Sequence, residues 1–256
     1  MLCVTSVKRR IQEEEYHIPY HYQDLFAPAQ SIERNSIFKM IVDIFTEKIR
    51  GEKRIIDIGC GDGRFCYYAK KFLQIEGIDI SKRAIHWAKA FNPELKFYCE
   101  PIERFAERIK KKYTGAVCIE VLEHICDDEI SSFLKGIKKI LKNEALIIFT
   151  VPSINKPMSV KHYRHYNQRL LFETLTPYFE VLEIKGHSKI SSFHRKIFSV
   201  MHIVSLLFYS ETFQWKFPNF VKFVKKIKEN YWYNYLHEGR PEECYRLIAI
   251  CRVCLV

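Results

Sequence analysis

The stretch Arg54-Ile-Ile-Asp-Ile-Gly-Cys-Gly-Asp-Gly-Arg64 decides how this chain is read. A short apolar run ends in glycines at 59, 61 and 63, and a helix-compatible stretch follows. Glycines at such a turn let the backbone bend sharply and approach a ligand with no Cβ in the way. The dinucleotide fingerprint is G-x-G-x-x-G, which seats a pyrophosphate on the helix N-terminus. Here the spacing is G-x-G-x-G, with Arg64 where the third dinucleotide glycine belongs. Asp57 and Asp62 would also repel a pyrophosphate, so the turn suits a ligand that carries positive charge nearby.

Outward from the turn, short apolar runs alternate with helical patterns. Strands are predicted at 54–58, 74–78, 96–99, 116–119 and 145–151. The clearest helix, 128–141, places Ile130, Phe133, Leu134, Ile137, Ile140 and Leu141 on one face. Such alternation predicts an α/β fold with a doubly wound, mostly parallel sheet. A helix at 168–175 and strands at 179–185 and 244–253 would complete seven strands. Before the first strand, Ile37, Met40, Ile41, Ile44 and Phe45 mark another helix. The expected organisation is an N-terminal cap (1–50), a ligand-binding core (51–186 plus 244–256) and a helical insertion (187–243).

The 256 residues carry a net charge of +11, with 48% apolar and 28% charged positions. That composition excludes a disordered or collagenous chain, and the charge favours anionic partners such as RNA or acidic lipid. Nine cysteines, an odd number, lie mostly in apolar stretches, and 1–15 lacks the apolar core of a signal peptide. A cytoplasmic protein with reduced thiols is expected, with peripheral membrane contact left open. The longest apolar run, 197–208, is too short to span a bilayer, which takes about 20 residues. Cys251 and Cys254 form a lone C-x-x-C in a strand pattern and read as apolar side chains.

The second strand ends Gly77-Ile-Asp-Ile-Ser81, so Asp79 falls 20 positions after Gly59, where a carboxylate can accept both ribose hydroxyls. S-adenosylmethionine has a ribose, a sulfonium and an ammonium, and meets both requirements. The segments IIDIGCGDGRF, GIDISKRAIHWAKA, KFYCEPIERF and CIEVLEHI, in this order, resemble the successive motifs of class I S-adenosylmethionine-dependent methyltransferases. Within that class the likeness is to the group containing the ubiquinone-pathway O-methyltransferases. It implies that Gly59, Cys60, Gly61 and Gly63 line the methionine end, and that Asp57 approaches its ammonium. It further implies that Asp79 holds the ribose, with Ile80 against the adenine. Ile102 and Glu103 would flank the adenine rim, and Cys118 and Ile119 would border the methionine. S-adenosylhomocysteine would be the product.

An oxygen acceptor benefits from a general base, and histidine suits that task. The fourth strand runs into IEVLEH rather than the Asp/Asn-Pro-Pro-aromatic run of amide and adenine N-methyltransferases. No Pro-Cys pair supplies a pyrimidine C5 nucleophile either. Small-molecule, lipid or glycan O-methylation is therefore expected, with His124, His162 and His165 as candidate catalytic residues. Glu120, Glu123 and His124, placed three and four apart on one face of a helix, form the alternative. With His162 or His165 they would hold a divalent metal, a layout similar to that of small-RNA 3′-terminal ribose 2′-O-methyltransferases. A third reading is a cofactor-binding regulator or scaffold without turnover. The segment from Tyr16 to Tyr22 would either lid the pocket or pack against the cap.

Overall fold

The computed structural model describes residues 4–25, 28–189 and 239–254, with positions 216, 219 and 226 besides. Most of the expected insertion lies outside the described residues. Seven strands form one sheet: β1 (Arg54–Ile58), β2 (Gln74–Asp79), β3 (Phe97–Cys99), β4 (Tyr113–Ile119), β5 (Leu141–Pro152), β6 (Glu180–Lys189) and β7 (Cys244–Arg252). Their spatial order is β3-β2-β1-β4-β5-β7-β6. Neighbours from β3 to β5 pair in parallel, and β7 alone runs antiparallel to both its neighbours.

Named along the described residues, the longer helices are α1 (Val4–Glu15), α2 (Pro28–Lys48), α3 (Arg64–Ala69), α4 (Lys82–Phe91), α5 (Ile102–Arg108), α6 (Asp127–Ile140) and α7 (Gln168–Leu175). Successive strand residues point to opposite faces, and the core divides accordingly. Ile56, Ala116, Cys118 and Ile147 join one cluster with Phe105, Leu134 and Leu171. Ile55, Val117 and Ile148 join the other with Ile41, Phe45, Phe65 and Ala88. Helices α5, α6 and α7 thus cover one face and α2, α3 and α4 the other. Helix α6 has Asp127, Asp128 and Glu129 in its first turn and Lys138 and Lys139 in its last, which matches the helix dipole at both ends.

The sheet corrects three expectations. Strand β4 starts three residues early because Tyr113 pairs with Leu141 across a register irregularity. Strand β5 likewise takes in the polar run 142–144, where Glu144 sits at φ 61 and its N–H bonds to Val253. The third correction concerns the chemistry: Glu120, Glu123 and His124 do not share a helix face. Glu120 adopts φ 53, which breaks the helix, and a single 3-10 turn, Leu122–His124, follows. Helix α6 begins only at Asp127.

Candidate active site

Strands β1, β2, β4 and β5 run in parallel, so the turns at their carboxyl ends gather on one edge, where open α/β sheets bind ligands. Gly59 and Gly61 take φ 71 and 54, conformations that residues with a Cβ rarely adopt. A Cβ on Gly59 would stand 2.4 Å from Val121 Cγ2, and one on Gly61 would stand 2.6 Å from Tyr16 Oη. The turn is therefore a cradle between the segment after β4 and the N-terminal segment.

Three carboxylates surround it. Asp79 Oδ2 accepts from Gly61 N–H at 2.9 Å and Oδ1 from Ser81 N–H at 2.8 Å. Each oxygen retains a second lone pair for a ribose hydroxyl. Burial raises the Asp79 pKa, and those two N–H groups partly offset it. Asp57 is buried below the turn, where desolvation, opposed by a bond from Cys66 and reinforced by the charges of Asp79 and Asp62, pushes it up to about 7. Asp62 accepts from His21 N–H at 2.7 Å and faces His21 Nδ1 at 3.1 Å.

That contact brings the N-terminal aromatic segment onto the turn. Trp87 Nε1 donates to Tyr16 O at 3.0 Å, and Tyr22 stacks on Phe91 with centroids 4.0 Å apart. Burial, then Asp79 and Asp62, raises the Tyr16 hydroxyl far above its ordinary pKa. Helix α1 continues the cover: Glu15 pairs with Lys161 at 2.6 Å, Arg9 pairs with Glu129, and Lys8 donates to the His162 carbonyl.

On the other side of the turn the structure gathers Glu123, His124 and His162. One ligand atom from each lies within 4.8 Å of the others, among the described residues. Among the described residues, both Glu123 oxygens and His124 Nδ1 are buried without a hydrogen-bond partner. His162 and His124 meet edge to face at 4.7 Å, and His162 Nδ1 lies 2.7 Å from His165 Nε2. Burial, with Lys161 nearby, lowers His124 to about 4. Burial, with His124 and His165, lowers His162 to about 3. Both rings are neutral near pH 7. Burial and the neighbouring Glu120 raise the Glu123 carboxyl well above the ordinary range.

Glu120 neighbours Glu123 but is not among the three. Its carboxylate meets Arg246 at 3.1 Å and Lys156 at 4.0 Å. Burial alone would raise its pKa, but those two cations hold it below the ordinary value. Neither partner was predicted from sequence, since Arg246 reaches Glu120 only because β7 inserts beside β5. Among the other predicted residues, Cys60 and Gly63 belong to the turn. Ile80 is 57% exposed beyond it. Ile102 and Cys118 are buried in the α5–α6 core, while Glu103 and Ile119 are half-buried.

A reversed seventh strand, a glycine turn after β1 and an acidic end to β2 together define a class, the class I S-adenosylmethionine-dependent methyltransferases. A family model described as a methyltransferase domain matches residues 30–188, and the chain belongs to that family. A ubiquinone biosynthesis O-methyltransferase of Idiomarina loihiensis is 26% identical over 135 residues, 51% of this chain and 54% of that protein. One from Neisseria meningitidis serogroup A is 26% identical over 120 residues, covering 44% and 48%. The chain thus spans about half the length of the curated relatives it matches. In fold it is similar to a SAM-dependent methyltransferase from Archaeoglobus fulgidus, with a TM-score of 0.54, 16% identity and coverage of 84% and 94%. It is also similar to the N-methyltransferase NodS from Bradyrhizobium japonicum in complex with S-adenosylhomocysteine, with a TM-score of 0.55, 14% identity and 87% of each chain. The cofactor is S-adenosylmethionine, and the Asp79 carboxylate, tied to the glycine turn with lone pairs to spare, fits its ribose.

Proposed function

We propose that this protein methylates a hydroxyl oxygen on a small-molecule, lipid or glycan acceptor. The observation that carries this is the buried cluster of Glu123, His124 and His162, in which, among the described residues, both Glu123 oxygens and His124 Nδ1 have no hydrogen-bond partner. Unpartnered buried polar groups are rare, and a hydroxyl is a partner they could take. The O-methyltransferase relatives support the same choice.

When bound, S-adenosylmethionine supplies an electrophilic methyl on a sulfonium. The turn at Gly59 and Gly61, Asp57 and Asp79 would hold the methionine and ribose ends. Ile80, Ile102 and Glu103 would edge the adenine, and Cys118 and Ile119 the methionine. A neutral imidazole from His124 or His162 would take the hydroxyl proton, and Glu123 would orient the acceptor. Tyr16 and α1 would exclude water, since positioning and desolvation are what such a displacement chiefly needs.

One observation favours a second reading, metal-assisted ribose methylation of RNA: Glu123, His124 and His162 have their ligand atoms at metal-binding separations. Against it, Glu120 is engaged by Arg246 and Lys156. Methyl-labelled S-adenosylmethionine with fractionated host extract tests both. Label in organic or small-metabolite fractions that survives chelation supports the first reading, and chelator-sensitive label in RNA supports the second. Bound cofactor with no label in any fraction supports a non-catalytic regulator or scaffold. A cytoplasmic setting is proposed from the free thiols at all eight described cysteines. Among the described residues no helix is long and apolar enough to cross a membrane, and contact with acidic lipid is left to vesicle binding.

A further inference from the structure

His162 and His165 lie three residues apart in the loop after β5, and both are buried. His165 Nδ1 lies 3.0 Å from the Lys156 carbonyl oxygen. A carbonyl only accepts, so His165 Nδ1 carries the proton of that bond. In a neutral ring this leaves a lone pair on His165 Nε2, which sits 2.7 Å from His162 Nδ1. His162 Nδ1 must then be the donor, and its Nε2 keeps the lone pair. The sequence of bonds runs one way, from His162 through His165 to the Lys156 carbonyl.

We infer that His165 is a positioning residue that locks His162 in the Nδ1–H tautomer, leaving Nε2 as the nitrogen that receives the acceptor's proton. The inference rests on the methyltransfer reading only for its use, since the tautomer is a property of the ligand-free protein. In the opposite tautomer, Nε2–H would face a hydroxyl donor with another donor and could take no proton. Among the described residues Nε2 has no hydrogen-bond partner, and one His162 ring nitrogen is within 4.8 Å of Glu123 and His124 ligand atoms. With S-adenosylmethionine bound, the new oxygen–methyl bond would replace the methyl–sulfur bond, whose electron pair would remain on sulfur, and the hydroxyl proton would pass to His162 Nε2. The imidazolium so formed keeps its Nδ1–H on His165.

The loop is braced to hold this geometry. Lys156 N–H donates to Ser153 O at 2.9 Å, and the Asn155 amide reaches the carbonyls of Glu242 and Cys244 at 2.9 and 3.0 Å. The His162 N–H donates to Ser159 O at 3.0 Å, and the His162 carbonyl accepts from Lys8.

Long-range proton–nitrogen correlation spectra of the 15N-labelled full chain, at a pH about 1.5 units above the ordinary imidazole pKa, read the tautomer directly. The His162 signals are assigned by their loss in His162→Asn. The expected wild-type spectrum shows His162 protonated on Nδ1. His165→Gln, whose amide can both accept and donate, should keep that tautomer, and His165→Leu should release His162 to Nε2–H. A wild-type His162 on Nε2–H, or an unchanged tautomer in His165→Leu, overturns the inference. If His165→Leu does not fold, the wild-type spectrum decides alone. With an acceptor in hand, His165→Leu should lower kcat by about 10-fold or more with cofactor KM unchanged, and His165→Gln should restore most of it. An Nδ1–H tautomer in a protein that transfers no methyl group would uphold the lock and remove the reaction assigned to it.

Discussion

The Gly61 N–H donates to Asp79 Oδ2 across 2.9 Å and so ties the turn after β1 to the acidic end of β2. One carboxylate therefore shapes the cradle and presents itself to the ribose. Asp79→Ala should weaken S-adenosylhomocysteine binding by roughly 10- to 100-fold, as expected for lost hydrogen bonds to a charged group. Calorimetric titration checks this, and unchanged affinity would remove the ribose assignment. Asp79→Asn, which keeps one acceptor oxygen, should fall between the two.

Gly59→Ala meets two obstacles, a φ of 71 and Val121 Cγ2 at 2.4 Å from the new methyl. The backbone conformation alone should cost about 1–2 kcal/mol. Pairing Gly59→Ala with Val121→Ala should recover the steric part and leave the backbone part, in a double-mutant cycle of thermal stability. Full additivity of the two substitutions would show that Val121 does not close the cradle.

The pKa of Asp57, raised to about 7 by burial from an ordinary 3.8, predicts proton release when a cationic ligand arrives. An ammonium group favours the carboxylate, so at pH 6 binding should expel up to about nine-tenths of a proton, fading above pH 8. Titrations in buffers of different ionisation enthalpy measure it. Without ligand, the folded state holds this proton more tightly than the unfolded chain does. The associated stability is complete below pH 3.8 and is lost as pH rises to about 7. Asp57→Asn should therefore gain on the wild type as pH rises through that window.

The Trp87 indole N–H donates to the Tyr16 carbonyl and so holds the aromatic segment over the turn. Trp87→Phe removes that bond, worth about 1 kcal/mol, and should speed cofactor release by about fivefold. Arg9→Ala, which breaks an exposed ion pair, should change it by less than about twofold. Stopped-flow displacement separates the two.

Strand β1 and helix α7 were legible to the residue, because Ile55, Ile56 and Ile58 lead straight into the glycine turn and Asn167 is a side-chain helix cap. Helix α1 was not, since VTSVKRRIQEEE has too few apolar residues to show a face. The turn and Asp79 stood out because their chemistry is local. The Glu120 partners did not, as the ion pair to Arg246 joins residues 126 apart. Glu123, His124 and His162 were each named, but which of them meet depended on a positive φ at Glu120 that only glycine would have announced.

Strand β7 is wedged between β5 and β6, so β6 reaches the sheet only through a strand made more than fifty residues after it. A ribosome releasing this chain delivers the glycine turn well before the strand that joins β6 to the sheet. Until then β6 has no neighbour, and the nascent chain must wait with an open β5 edge, a surface prone to wrong pairing. Arg246 arrives on the same strand, so the ion pair that restrains Glu120 forms only once β7 has been made.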